Sequence, residues 1–266
     1  MRRIRLRYKA ACATCDTELA VSTYAWWDTT AKTATCERCH DSAEASKSIL
    51  ERGTAGGSAQ REHDRRKAER ERNIHEAHPR LGRLILALTD DPQTTTAWAK
   101  GAAGERRLGT QLDDLEAAGV LALHDRRIPR SRGNIDHLVI APSGIFVIDT
   151  KQYRGQVKKR DVGGLFRRDD RVFVGRRDCT RLVEAMPKQV TAVRDAVGEL
   201  LGDLPVTPAL CFVAAEWRLF ARPFAVREVW VGWPRALGAL IRQPGPLSPT
   251  EIDMLGRQIV ARLPAA

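Results

Sequence analysis

The sequence contains no long hydrophobic run. Nowhere in its 266 residues does an apolar stretch approach the ~18 consecutive residues expected of a membrane span. The first twelve residues, MRRIRLRYKAAC, are basic but lack the apolar core of a secretory signal. Together these absences point to a cytoplasmic protein with no membrane partner. There is no internal repeat, which excludes a solenoid. Cysteine is sparse and unevenly placed: of six, four fall in two close pairs and two stand far apart. That pattern suits metal binding in a reducing compartment better than a disulfide framework.

What is present reads as a folded core with a positive field. Hydrophobic residues make up 43% of the chain, enough for packed layers. The formal net charge is +11. Between Lys151 and Arg181 eleven basic residues face four acidic ones. A field of that sign gathers polyanions, which makes nucleic acid the expected partner and Lys158, Lys159, Arg160, Arg167, Arg168 and Arg171 its candidate contacts.

Three segments differ in character. Residues 1–50 hold the cysteine pairs. Residues 51–80 include the small-residue run GTAGGSA (53–59) and continue through QREHDRRKAERERNIHEAHPR (60–80), a charged linker or solvated helix. Residues 81–266 read as one α/β domain. Leu108, Leu112 and Leu115 form the apolar stripe of a helix over 105–118, with Gly119 closing it. Strands are expected over 120–124, 135–140, 145–150, 156–162, 165–174, 209–214 and 226–231. A long helix is expected over 181–201, with Met186, Val190, Val193 and Val197 inward; Pro187 marks its start or a kink.

The segment NIDHLVIAPSGIFVIDTK (134–151) is the most informative. Two β-like runs flank a turn at Ala141-Pro142-Ser143-Gly144. A tight hairpin sets Asp136 directly opposite Asp149, and a three-residue loop leaves the two diagonal. Alternation puts Lys151 on the face of Asp149. Two close carboxylates repel unless a cation joins them, and hard oxygen ligands suit Mg²⁺ or Mn²⁺. An ammonium beside such an ion offsets developing negative charge on a phosphate. Glu105 shares the helix face of Leu108 and Leu112, so it must meet the sheet or its edge, although a helix-start charge complementing the dipole would also fit.

GAAGERRLG (101–109), NIDHLVIAPSGIFVIDTK and the following Gly155 resemble the nuclease-related domain, or NERD, family. That resemblance implies a PD-(D/E)xK restriction-endonuclease-like core, a mixed central sheet flanked by helices. By the same resemblance Asp136 matches the first motif acid, Asp149 and Lys151 the acid-x-lysine pair, Glu105 the acid of the first core helix, and Gln189 a glutamine on the helix after the sheet. The implied catalytic set is therefore Glu105, Asp136, Asp149, Lys151 and Gln189, with the three acids holding the Mg²⁺ or Mn²⁺. Ile135 stands where the superfamily pattern has proline, a change that removes only a turn preference.

Cys12-x₂-Cys15 and Cys36-x₂-Cys39 have the spacing of a structural zinc site, so residues 1–50 are expected to form a zinc-ribbon-like module, the alternatives being a redox pair or unligated core thiols. The sequence thus reads as a metal-dependent nuclease acting on DNA. The competing readings are a catalytically silent nucleic-acid-binding protein and an adaptor that keeps the fold.

Overall fold

The computed structural model describes residues 1–41, 50–79, 93–131, 133–164 and 167–266. The end of the expected linker and the expected domain start, 80–92, lie outside the described residues, as do 42–49 of the expected zinc module and 165–166 of one expected strand. The chain divides into two compact units, Met1–Leu50 and Glu51–Ala266.

In the first unit β1 (Arg2–Arg5), β4 (Tyr24–Asp28) and β5 (Thr33–Cys36) form an antiparallel sheet, beside a short pair β2 (Ala10–Ala11) and β3 (Glu18–Leu19). Leu6, Cys12, Leu19, Ala25 and Ala34 make a small core that Ile4 and Trp27 pack against. A core of this size supplies little stability without a further tie. Trp26 stacks on His40 with ring centroids 3.7 Å apart.

The second unit opens with α1 (Gly57–Ala77), whose one buried side chain among the described residues is Ala59. Glu62 pairs with Arg65 and Arg66 along its surface, as a solvated helix requires. Next come α2 (Gln93–Asp113) and a single 3-10 turn at Glu116–Ala118, capped by Gly119 at φ 75°. The strands β6 (Leu121–Arg127), β7 (Asn134–Ala141) and β8 (Gly144–Lys151) follow in antiparallel order. A smaller sheet of β9 (Val157–Asp161), β10 (Asp170–Val174) and β11 (Arg177–Asp178) leads into α3 (Thr180–Val197). Then β12 (Val206–Phe212) joins β8 in parallel, and the hairpin β13 (Phe224–Val226) and β14 (Val229–Gly232) completes a six-stranded mixed sheet, ordered β13-β14-β12-β8-β7-β6. The helices α4 (Pro234–Ile241) and α5 (Pro249–Arg262) close the chain, α5 starting on a Ser248–Glu251 capping box.

Alternation sorts the sheet into two faces. Val139, Ala141, Phe146 and Ile148 pack with Leu108 and Leu112 of α2 and Leu237 and Ile241 of α4. The other face receives α3 and α5. On α3 the residues Val183, Met186, Val193 and Val197 are buried, while Val190 is only half-buried. Pro187 neither starts nor ends α3; it sits exposed within it.

Candidate active site

The site forms where the central sheet splits. Ala141 pairs with Gly144 and the ladder runs back as far as His137 with Ile148. Asp136 and Asp149 are the next two residues, and there the strands part. From this point β7 pairs only with β6, through Ile135 to Arg126, and β8 only with β12, through Asp149 to Leu210 and Lys151 to Phe212. The fork is bridged by a side chain: the amide of Thr150 donates to Asp136 Oδ2 at 2.8 Å. Because Phe146 and Ile148 face α2, alternation turns Asp149 and Lys151 to the opposite face, where α3 packs. The Lys151 ammonium donates a short charged hydrogen bond to Asp149 Oδ1.

Burial decides the electrostatics. Asp149 and Glu105 are both buried. Desolvation pushes Asp136 well above the usual carboxylate range, and the charges of Asp149 and Glu105 push it further. Glu105 is raised to about 7, first by burial and then by the charge of Asp125, with Lys151 pulling the other way. For Lys151, burial is the largest single influence and favours the neutral amine. Asp149 and Asp136 together outweigh it, so the ammonium is held charged. Glu105 Oε2, Gln189 Oε1 and Gln152 Oε1 are buried without a hydrogen-bond partner among the described residues. Three acids gathered around a single ammonium, with buried oxygens left unpartnered, fit a hard divalent cation.

Residues 100–213 match the nuclease-related domain family. The matched span runs from within α2 to just past β12, and it contains all five residues that the sequence singles out for catalysis. The chain is also similar to an uncharacterized protein of Bacillus anthracis, 38% identical over 61 residues, which are 22% of this chain and 29% of that protein. The match thus spans less than a third of that relative's length. No solved structure matches the chain.

Within the matched span, Asp136, Asp149 and Lys151 meet at the fork, and Glu105 is close enough for mutual charge effects. Glu105 lies about three turns into α2, so it is not the helix-start charge that its neighbour Gly104 suggests. Gln189 lies on α3, over the same sheet face as Lys151. The basic candidates spread over the small sheet. Lys159 and Arg168 pair with Asp170, and Arg171 pairs with Asp169 and Asp178. Arg160 covers the Phe173 ring. Among the described residues Lys158 and Arg167 have no acidic partner.

Three neighbours were not legible in the sequence. Gln152, directly after Lys151, carries one of the orphaned oxygens; its position beside the acid-x-lysine pair was the available signal. Arg177 lies over the Tyr153 ring at 5.5 Å, beside the end of β8. Asp125 is buried at φ 51° and accepts from Ser58 N and Ser58 Oγ, both at 2.6 Å. It thereby caps the start of α1 while raising Glu105.

In the first unit the four sulfur atoms of Cys12, Cys15, Cys36 and Cys39 lie within 4.8 Å of one another. Cys15 and Cys36 Sγ are 3.9 Å apart. A zinc ion with Zn–S bonds of ~2.3 Å requires a tetrahedron edge of ~3.8 Å. Backbone amides donate to sulfur, Cys36 N to Cys12 and Cys39 N to Cys36, both at 3.3 Å. Thr17 draws Cys15 down to about 6, whereas Cys36 and Cys15 push Cys39 up to about 12. Four thiols this close cannot all ionise without a cation, and the cluster is compatible with zinc. No helix among the described residues is long and apolar enough to cross a membrane.

Proposed function

We propose that the second unit hydrolyses phosphodiester bonds of nucleic acid, with DNA as its substrate, using Mg²⁺ or Mn²⁺ held by Asp136, Asp149 and Glu105. The observation that carries this reading is the parting of β7 and β8 at two opposed acids, one of them held by a half-buried ammonium. A stability-driven sheet end would place apolar or solvated residues there, because gathered buried carboxylates cost folding free energy. When bound, the ion would polarise the phosphate and lower the pKa of a water that attacks it. Lys151, kept charged by Asp149 and Asp136, offsets negative charge that grows on the phosphate in the transition state. Gln189, with its orphaned oxygen, orients a proton-bearing group at the α3 face. Lys158, Lys159, Arg160 and Arg167 supply phosphate contacts that position the strand, and we place Arg168 and Arg171 at the edge of that track.

The cysteine cluster, in this reading, holds one structural Zn²⁺, making residues 1–50 a zinc-ribbon-like module and the unit from Glu51 onward the nuclease part. The test is incubation of the whole protein with labelled single- and double-stranded DNA, with and without Mg²⁺ or Mn²⁺. Cleavage should require the ion. Asp149→Ala should abolish it and weaken divalent-ion binding while circular dichroism stays unchanged. No cleavage of DNA or RNA with either ion would favour a silent nucleic-acid-binding protein instead.

A further inference from the structure

The loop between β12 and β13 carries an exposed aromatic residue that folding alone does not explain. Phe220 is 91% exposed and the adjacent Leu219 84%. The Ala221 amide donates to the Arg218 carbonyl at 2.9 Å, closing a turn whose third residue is Phe220. Its φ is 62°, the left-handed region in which that turn position favours glycine or asparagine. The chain therefore accepts backbone strain and exposes a full aromatic ring at one point.

The stem beneath this tip is well tied. Val213 N donates to the Lys151 carbonyl at 3.1 Å, Glu216 N to Gly155 O at 3.0 Å, and Val157 N to Glu216 O at 2.9 Å. Trp217 packs against Trp233, ring centroids 4.8 Å apart. The loop thus leaves the sheet at the level of Lys151 and runs beside β9. Next to the tip is a hollow of about 300 Å³ lined by Lys158, Lys159, Arg218 and Arg222 as well as by Leu219 and Phe220, and no acidic residue lines it. Arg218 and Arg222 are exposed and have no acidic partner among the described residues.

A flat apolar ring among four cations complements a polyanion that carries flat apolar rings. We infer that Phe220 is a stacking wedge for a nucleic-acid base, with Arg218, Arg222 and Lys158 holding the flanking phosphates. This deepens the nucleic-acid reading above and rests on it. Inserting a ring into continuous duplex must first pull a base step apart, whereas at a fork or junction that step is already open. The preferred substrate is accordingly a duplex that opens into single strands.

The experiment measures binding of the full chain, without added divalent ion, to a fluorescent forked DNA and to a blunt duplex of the same length. Wild type should bind the fork more tightly. Phe220→Gly and Phe220→Ala should each weaken fork binding by roughly 5- to 150-fold, the scale of losing one stacked base, with little change on blunt duplex. Thermal melting should show Phe220→Gly at least as stable as wild type, since glycine relieves the strained φ; a merely structural phenylalanine would give the opposite. Arg218→Ala with Arg222→Ala should weaken both substrates. Equal wild-type affinity for fork and blunt duplex, or undiminished fork binding by Phe220→Gly, would overturn the wedge and leave the tip to a protein partner. Fork binding that depends on Phe220 in a protein that cuts nothing with Mg²⁺ or Mn²⁺ would sink the nuclease reading and leave the wedge standing.

Discussion

Glu105 sits where protonation and metal holding compete. In the metal-free protein its carboxyl keeps a proton up to a pH of about 7, while an unfolded chain releases it near the ordinary value of 4.5. Stability linked to that proton is full below about pH 4.5 and is lost as the pH rises through about 7. Glu105→Gln removes the charge without changing the shape. Its melting temperature should therefore gain on that of the wild type between about pH 5 and about pH 8, by an amount corresponding to a few kcal/mol at most. Added Mg²⁺ should raise the melting temperature of wild type at about pH 8 far more than that of the variant. Parallel melting curves across this range would show that Glu105 is not held neutral. Its place on the apolar stripe with Leu108 and Leu112 was legible, because spacing on a helix survives any error in the helix's ends. Asp125, which helps to raise it, was not legible: an acid inside a strand-like run looks like a surface residue until Ser58 arrives from α1 to bond it.

At the scale of elements, the hairpin β7–β8 could be read directly because alternation, Pro142 and Gly144 all specify the same register. The beginning of α2 could not. Gly104 looks like a helix boundary, yet it lies inside the helix because a Cβ there would come within 2.8 Å of Gln152 Oε1 and 3.1 Å of Val213 Cγ2. Close approach of α2 to the end of β8 favours a small residue there, and tertiary packing overrides the low helix propensity of glycine. The turn between β13 and β14 was hidden as well. Arg227 and Glu228 both adopt positive φ, 47° and 67°, where asparagine or glycine would have signalled a hairpin, and Arg227 is held by Glu184 and Asp169. The basic hairpin β9–β10 separates two roles for its cations. Lys158→Ala with Arg167→Ala should lower the magnitude of the log–log salt slope for duplex binding by about 0.9 for each phosphate that is no longer neutralised. Arg171→Ala, which breaks half-exposed pairs with Asp169 and Asp178, should leave the slope nearly unchanged and cost about 1 kcal/mol or less of stability. An unaltered slope in the double variant would mean that this sheet faces away from the nucleic acid.

For the whole molecule, two compact units imply two responses to metal removal. Metal analysis should find one zinc per chain, and a strong chelator should raise hydrogen exchange across residues 1–41 while Glu51–Ala266 keeps its protection. Protein free of zinc with a fully protected first unit would contradict the zinc assignment. The α/β layers were legible from hydrophobic period; the splitting of the sheet was not, since strand pairing beyond Asp136 depends on which neighbour each strand follows. That split is the basis of the catalytic proposal, and Lys151 is its sharpest probe. Single-turnover cleavage of labelled DNA by wild type and Lys151→Ala, at saturating Mg²⁺ or Mn²⁺, should show a loss on the order of 10²-fold or more in rate with divalent-ion binding retained. A wild type that cuts and a Lys151→Ala variant that cuts equally fast would mean that the chemistry happens elsewhere than at the fork.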